Sequence, residues 1–82
     1  MSTADVLGEV YHERHLQDSK WGIQNHLQVE WLAILAEEFG EVSKEVNEFH
    51  FRHHREKELR AELLQTAAVC VAMIESLDRN GK

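Results

Sequence analysis

Hydrophobic residues recur at alternating spacings of three and four along two long stretches of the chain, which is the spacing of one face of an α-helix. In residues 28–49 they are Leu32, Leu35, Phe39, Val42, Val46 and Phe49. After Arg55 they are Leu59, Leu63, Ala67, Cys70, Ile74 and Leu77. We predict a helix on each stretch, with these residues forming the core seam of an antiparallel helix hairpin.

A shorter helix is predicted ahead of the hairpin. Ser2 or Thr3 can cap it, Asp5 lies near its positive end, and the pattern runs to about Gln17. Its apolar stripe is thin, so we expect it at the edge of a bundle. Residues 18–26 are rich in turn-forming residues and are predicted to form an ordered loop.

Two further segments of the sequence predict where the hairpin helices end. The polar and basic segment 50–55 is predicted to be the loop that separates them. Asn80 and Gly81 are typical of a helix end, so the last helix is expected to stop there.

Composition supports an all-α fold in a single domain, residues 1–82. The chain has no proline and only four glycines, and its 82 residues are rich in good helix formers. A domain of this size buries a modest fraction of its surface, so three helices alone would be marginally stable. We therefore expect a homo-oligomer, either a dimer or a tetramer.

Charge and cysteine content indicate which partners and which cellular compartment to expect. The net charge of -6 argues against binding a nucleic acid polymer through a basic surface. No signal peptide, bilayer-length apolar run or disulfide framework is evident, so a cytoplasmic protein with no membrane partner is expected. The single cysteine, Cys70, lies in an apolar run and is expected to be a buried thiol.

An acidic stripe accompanies the first hairpin helix. Glu38, Glu41 and Glu45 follow one another at i, i+3 and i+7, beside the apolar seam. Carboxylates in a row repel one another, so the stripe needs a compensating cation. Gly40 lies within the stripe, and a glycine inside a helix often marks close approach by another group. An ordinary solvated acidic face is the alternative interpretation of the same pattern.

The second hairpin helix repeats the spacing with Glu62 and Gln65. An antiparallel hairpin would bring both oxygen-bearing pairs together. Three carboxylates and one amide oxygen suit Mg²⁺ or, as a substitute, Mn²⁺, because both prefer oxygen ligands. We predict a metal site made by Glu38, Glu41, Glu62 and Gln65.

These motifs resemble those of the MazG-like all-α nucleoside triphosphate pyrophosphohydrolases, whose pattern is ExxE followed by ExxD. The first half is Glu38-Phe39-Gly40-Glu41 and the second is Glu62-Leu63-Leu64-Gln65, where Gln65 replaces the final aspartate. The likeness to small phage- and cassette-borne members covers most of the chain. It extends to Glu13-Arg14, Gln17, residues 20–26, residues 31–35 and residues 62–72.

The resemblance implies Mg²⁺-dependent cleavage of a ribo- or deoxynucleoside triphosphate to the monophosphate and pyrophosphate, as housecleaning of the nucleotide pool. Glu38 and Glu41 would be the catalytic carboxylates, and a carboxylate not fully occupied by metal would accept a proton from the attacking water. Because glutamine contributes no charge, Gln65 leaves the number of metal ions open.

Five residues are predicted to bind the substrate. Trp21 offers a flat surface for the base, Gln24 and Asn25 offer hydrogen-bonding groups, and Lys20 offers a neighbouring cation. Arg55 is a candidate phosphate contact if a neighbouring subunit brings it in.

Two other functions fit parts of the sequence. The acidic stripe of a non-catalytic dimeric helical module could face a basic partner protein. Alternatively, Glu9 and His12 form an ExxH pair, and a homodimer would supply two such pairs, as a carboxylate-bridged di-iron bundle requires.

Overall fold

The protein consists of three α-helices in a computed structural model that describes residues 1–53 and 55–81. The helices are α1 (Thr3–Trp21), α2 (Gln28–Arg52) and α3 (Glu56–Asn80). The described residues contain no β-strand, which confirms the all-α prediction. Within these residues, no helix combines the length and the apolar character needed to span a membrane.

Helix α1 begins where the sequence predicts but ends later. Ser2 caps it: the Ser2 hydroxyl accepts a hydrogen bond from the Asp5 N–H at 3.1 Å, and the Ser2 N–H donates to Asp5 Oδ2 at 3.0 Å. The predicted end near Gln17 is wrong, because Arg14 pairs with Asp18 at 3.0 Å and continues the helix for another turn. Gly22, with a φ of 74°, then ends the helix by a backbone bond to the Asp18 carbonyl.

The connection between α2 and α3 is shorter than the predicted loop 50–55. Residues 50–52 continue α2, and His53, with a left-handed φ of 55°, ends it. Arg55 is also left-handed and precedes α3, whereas His54 lies outside the described residues. Gly81, with a φ of 66°, ends α3 at the predicted position.

Helix α3 lies between the other two. Helix α2 packs antiparallel to α3, with Glu45 bonded to Arg55 near the turn and Trp31 packed against Val69 and Ala72 farther along. Helix α1 packs against α3 as well, whereas no Cα atom of α1 lies within 8 Å of a Cα atom of α2 among the described residues. The core is small: Trp31, which is 2% exposed, forms its centre, and Ile34, Leu35 and Met73 pack around it.

The predicted core seams are largely wrong, because both hairpin helices are rotated from the expected orientation. Several residues of the predicted seams are exposed to solvent instead. They are Leu32, Phe39, Val46 and Phe49 of α2, and Leu63, Cys70, Ile74 and Leu77 of α3. Helix α3 instead buries Ala68, Val69, Ala72 and Ser76. Three of these four side chains are small, which allows close packing of neighbouring helices and leaves the larger apolar residues outside. Cys70 is therefore exposed rather than buried.

Gly40 is not explained by close packing within the chain. A methyl group added at Gly40 would meet no atom within 4 Å. The expected close approach of a neighbouring helix therefore does not occur between the described residues.

Candidate functional site

Two glutamates face each other across the α2–α3 interface. Glu38 on α2 and Glu62 on α3 lie within hydrogen-bonding reach of each other. The Oε2 atom of each carboxyl group is buried and has no hydrogen-bond partner among the described residues. A buried acceptor without a partner is costly, so this pair is an unsatisfied polar group of the interface.

Burial and mutual repulsion make it hard for this pair to hold two negative charges. Burial raises the pKa of Glu38, and the charge and hydrogen-bonding contact of Glu62 raise it further. The pKa of Glu62 is also raised, first by burial and then by the charge of Glu41. The pair is therefore expected to share protons or a cation rather than stand as two bare carboxylates.

The neighbouring glutamate of the stripe is neutralised by an arginine. Glu45 is 3% exposed, and Arg55 reaches both of its oxygens, with Nε 2.8 Å from Oε2 and Nη2 2.7 Å from Oε1. This two-pronged pair supplies Glu45 with the positive charge that Glu38 and Glu62 lack. Arg55 is thereby placed against Glu45.

A groove of about 180 Å³ opens beside Glu38. It lies where α1 and α2 flank α3, and Lys20, Trp21, Gln24 and Gln65 contribute to its lining. The Lys20 ammonium nitrogen lies 4.6 Å from the centre of a Trp21 ring, so a cation and an exposed aromatic face are adjacent. A groove of this kind can hold a small ligand that has both a flat ring and negative charge.

The groove thus gathers five of the residues predicted for the site, and the others lie outside its lining. Glu62 adjoins it through Glu38, and Glu41 is exposed but close enough for its charge to act on Glu62. The Asn25 side-chain oxygen is bonded to Arg79 and Asn80 at the end of α3. Asn25 and Arg55 are therefore not brought to the groove.

Helix α1 contributes residues to which the sequence analysis gave no role. Glu13 and Gln17 line the groove, and the charge of Glu13 also raises the pKa of Glu62. Gln17 Nε2 donates to the Gln65 carbonyl at 3.3 Å, which ties α1 to α3 beside the groove. The spacing of Glu13, Gln17 and Lys20 at i, i+4 and i+7 was an available signal, because such residues share one helix face.

The described residues contain no cluster of three or more His, Cys, Asp or Glu side chains close enough to hold a metal ion. The Glu38–Glu62 pair nevertheless fits a magnesium ion, because both carboxyl groups have a buried oxygen without a partner and neither forms an ion pair with a cation among the described residues. Magnesium commonly takes one or two carboxylates from the protein and completes its coordination with water and substrate phosphates. Gln65, which lines the same groove, offers a neutral oxygen.

Comparison of the chain with protein-family models, curated proteins and solved structures finds no match. The function must therefore be argued from the site itself.

The raised pKa values predict how stability depends on pH. Because folding raises the pKa of both carboxyl groups above the ordinary 4.5, the folded protein holds their protons to higher pH than the unfolded chain does. Their stabilising contribution is present below that ordinary pKa and is lost as the pH rises through the raised values. As the pH rises from about 4 to about 7, the free energy of unfolding should therefore fall less in Glu38→Gln than in wild type, because the glutamine side chain stays neutral.

Urea unfolding in the presence of a chelator measures this difference. Glu37→Gln is the control, since it removes an exposed charge from the adjacent residue and should retain most of the wild-type slope. A Glu38→Gln slope as steep as that of the wild type would show that the pair is not strained.

Proposed function

We propose that the chain is a MazG-like nucleoside triphosphate pyrophosphohydrolase that works with Mg²⁺. The observation that carries this proposal is the pair Glu38 and Glu62, with its unpartnered buried oxygens, at the edge of a groove that also holds Lys20 and Trp21. A carboxylate pair supplies a cation site, and the groove supplies an aromatic face and a positive charge. A nucleotide needs all three.

The reaction breaks the anhydride between the α and β phosphates. A water oxygen bonds to phosphorus as the bridging bond breaks, which yields the monophosphate, pyrophosphate and a proton. Bound Mg²⁺ would supply charge neutralisation on the phosphates and a lower pKa for the attacking water. Glu38 and Glu62 would hold it, with Glu41 nearby and Gln65 as the neutral oxygen donor.

The remaining roles belong to the chain's own side chains. Glu38 or Glu41 accepts the proton of the attacking water. Lys20 pairs with phosphate oxygens, Trp21 stacks on the base and Gln24 hydrogen-bonds the edge of the base. The overall charge of -6 makes this arrangement necessary, because the protein surface as a whole does not attract a triphosphate.

The proposed activity is tested with a panel of ribo- and deoxynucleoside triphosphates and Mg²⁺, with pyrophosphate resolved from orthophosphate. Wild type should release pyrophosphate and show which base is preferred. Glu38→Gln and Glu62→Gln should each lower kcat by roughly 100-fold or more, since each removes a charge that positions the cation.

Glu37→Gln is the matched control and should turn over at close to the wild-type rate. If wild type hydrolyses no nucleotide with either Mg²⁺ or Mn²⁺, the proposal is wrong. The non-catalytic interaction module would then become the better account.

We further propose that the protein assembles from identical copies through one apolar face. This face comprises Leu32, Leu35, Phe39 and Val46 of α2 with Cys70, Met73, Ile74 and Leu77 of α3. A shallow cavity of about 260 Å³ lies in this face, and its lining residues, none of them charged, are Gln28, Leu35, Cys70, Met73, Ile74 and Leu77. A face without charge offers nothing to a charged partner, whereas a second apolar face of the same shape can cover it.

The surface area of the chain supports a second copy as the occupant. The chain exposes 5986 Å², whereas a folded monomer of 9.6 kDa exposes about 5,100 Å². The excess of roughly 900 Å² is close to the area that one partner buries in a stable interface. Arg55 remains a candidate phosphate contact only if such an assembly presents it to a second groove.

Phe39→Asp should therefore dissociate the assembly, because it places a charge on a side chain that is 69% exposed within the apolar face. Phe51→Asp is the control: Phe51 is similarly exposed but lies in the last turn of α2, outside the apolar face. Light scattering after gel filtration gives the mass. Alkylation of Cys70 should be slow in wild type and fast in Phe39→Asp, whereas a monomeric wild type at high concentration would contradict the assembly.

The di-iron alternative gains no support from the structure. Glu9 pairs with Arg60, whose Nη1 lies 2.8 Å from Glu9 Oε1, and His12 is exposed on α1. Among the residues that the structure describes, no cation pairs with Glu38 or Glu62 in this way, which favours the pyrophosphohydrolase.

A further inference from the structure

The loop that carries Gln24 is held by the far end of α3. Asn25 Oδ1 accepts hydrogen bonds from Arg79 Nε at 3.1 Å, Arg79 Nη2 at 2.9 Å and Asn80 Nδ2 at 2.9 Å. Arg79 Nη2 also donates to the Gln24 carbonyl at 3.1 Å. Four donor–acceptor contacts therefore tie two consecutive loop residues to the last turn of one helix.

We call these contacts of Arg79 and Asn80 the anchor, and Asn80 is itself held in place. Asn80 Nδ2 also donates to the Ser76 carbonyl at 3.0 Å, and Ser76 is completely buried. Gly81 closes the helix end with a backbone bond of 2.7 Å to the Leu77 carbonyl. The anchor is thus part of a well-formed helix terminus, and the packing of α3 sets its position.

The loop needs an external anchor because of where it lies. It joins α1 to α2, and within the described residues no Cα atoms of these two helices lie within 8 Å of each other. The loop starts at Gly22, whose φ of 74° is accessible to few other residues, and ends where Glu30 Oε1 accepts from the Leu27 N–H at 2.8 Å. Arg79 contacts Gln24 and Asn25, which lie between these two ends, and Gln24 lines the groove.

We propose that Arg79 is a positioning residue that acts through Asn25 to hold Gln24 against the substrate groove. Asn25 accordingly serves the site through its acceptor oxygen and does not contact the substrate. The kinetic part of this inference rests on the proposed nucleotide hydrolysis. The structural part, which is the coupling of the loop to α3, does not.

Removing the anchor should weaken substrate binding more than it slows chemistry. Arg79→Ala and Asn25→Ala should each raise KM for the preferred nucleotide by roughly three- to tenfold, the effect of losing ordinary hydrogen bonds, with kcat nearly unchanged. The effects of the two changes should be less than additive in the double variant, because both break the Arg79–Asn25 contacts. Asn25→Asp keeps the acceptor oxygen and should retain a KM close to that of wild type.

Hydrogen exchange provides a readout that is independent of activity. Backbone amides of residues 23–26 should exchange faster in Arg79→Ala and Asn25→Ala, and at the wild-type rate in Asn25→Asp. Arg52→Ala is the control, because it removes an exposed arginine at the other end of the hairpin. It should change neither KM nor loop exchange.

The outcomes separate the two claims. If wild type hydrolyses no nucleotide, the proposed function fails, and loop exchange alone then decides whether Arg79 and Asn25 are coupled. Unchanged loop exchange in Arg79→Ala overturns the anchor. A loop that exchanges faster while KM stays at the wild-type value in an active enzyme overturns the positioning role, as does an Asn25→Asp variant that binds as poorly as Asn25→Ala.

Discussion

The packing of α2 against α3 turns carboxyl groups toward the helix interface, and the rest of the structure depends on how their charge is balanced. Glu45 is balanced by Arg55, which reaches both of its oxygens. Among the described residues, no cation pairs with Glu38 or Glu62, and burial together with neighbouring charges raises the pKa of both. Both side chains are half-buried, and a buried oxygen without a partner is costly. The pair therefore marks a place where the described residues supply no positive charge, and a bound cation is the partner that we propose for it.

The same rotation of α2 leaves large apolar side chains on the outside. Trp31 and Glu45 face inward, while Leu32, Phe39 and Val46 lie on the solvent side. The α2–α3 interface therefore contains carboxyl groups beside its apolar core, while several large apolar side chains stay exposed. An acidic helix interface and an uncovered apolar face have a common cause, which links the proposed active site to the proposed assembly.

The sequence was sufficient to predict the three helices and five of the residues that line the groove. Three- and four-residue spacing identified α2 and α3, Gly81 marked the end of α3, and the i, i+3 pairs drew attention to Glu38 and Glu62. Periodicity cannot tell which of two adjacent stripes faces the neighbouring helix, and for this reason Phe39 and Cys70 were wrongly assigned to the core. The small residues Ala68, Ala72 and Ser76 decide the rotation through close packing.

Long-range pairings were beyond the sequence for a different reason. The bonds of Arg79 with Asn25 join residues that are far apart in the chain and that meet only because α1 and α2 both flank α3. No local pattern encodes such a contact. The assignment of Arg55 to the substrate had the same weakness, because its chemistry fits a phosphate as well as it fits Glu45.

Thermal unfolding of wild type, Glu38→Gln and Glu62→Gln with increasing Mg²⁺ at neutral pH tests most directly whether the pair is a cation site. A ligand that binds only the folded protein raises its unfolding temperature. The account predicts that Mg²⁺ raises the unfolding temperature of wild type and leaves those of both variants nearly unchanged. An equal rise in all three proteins, or no rise in wild type, would contradict it.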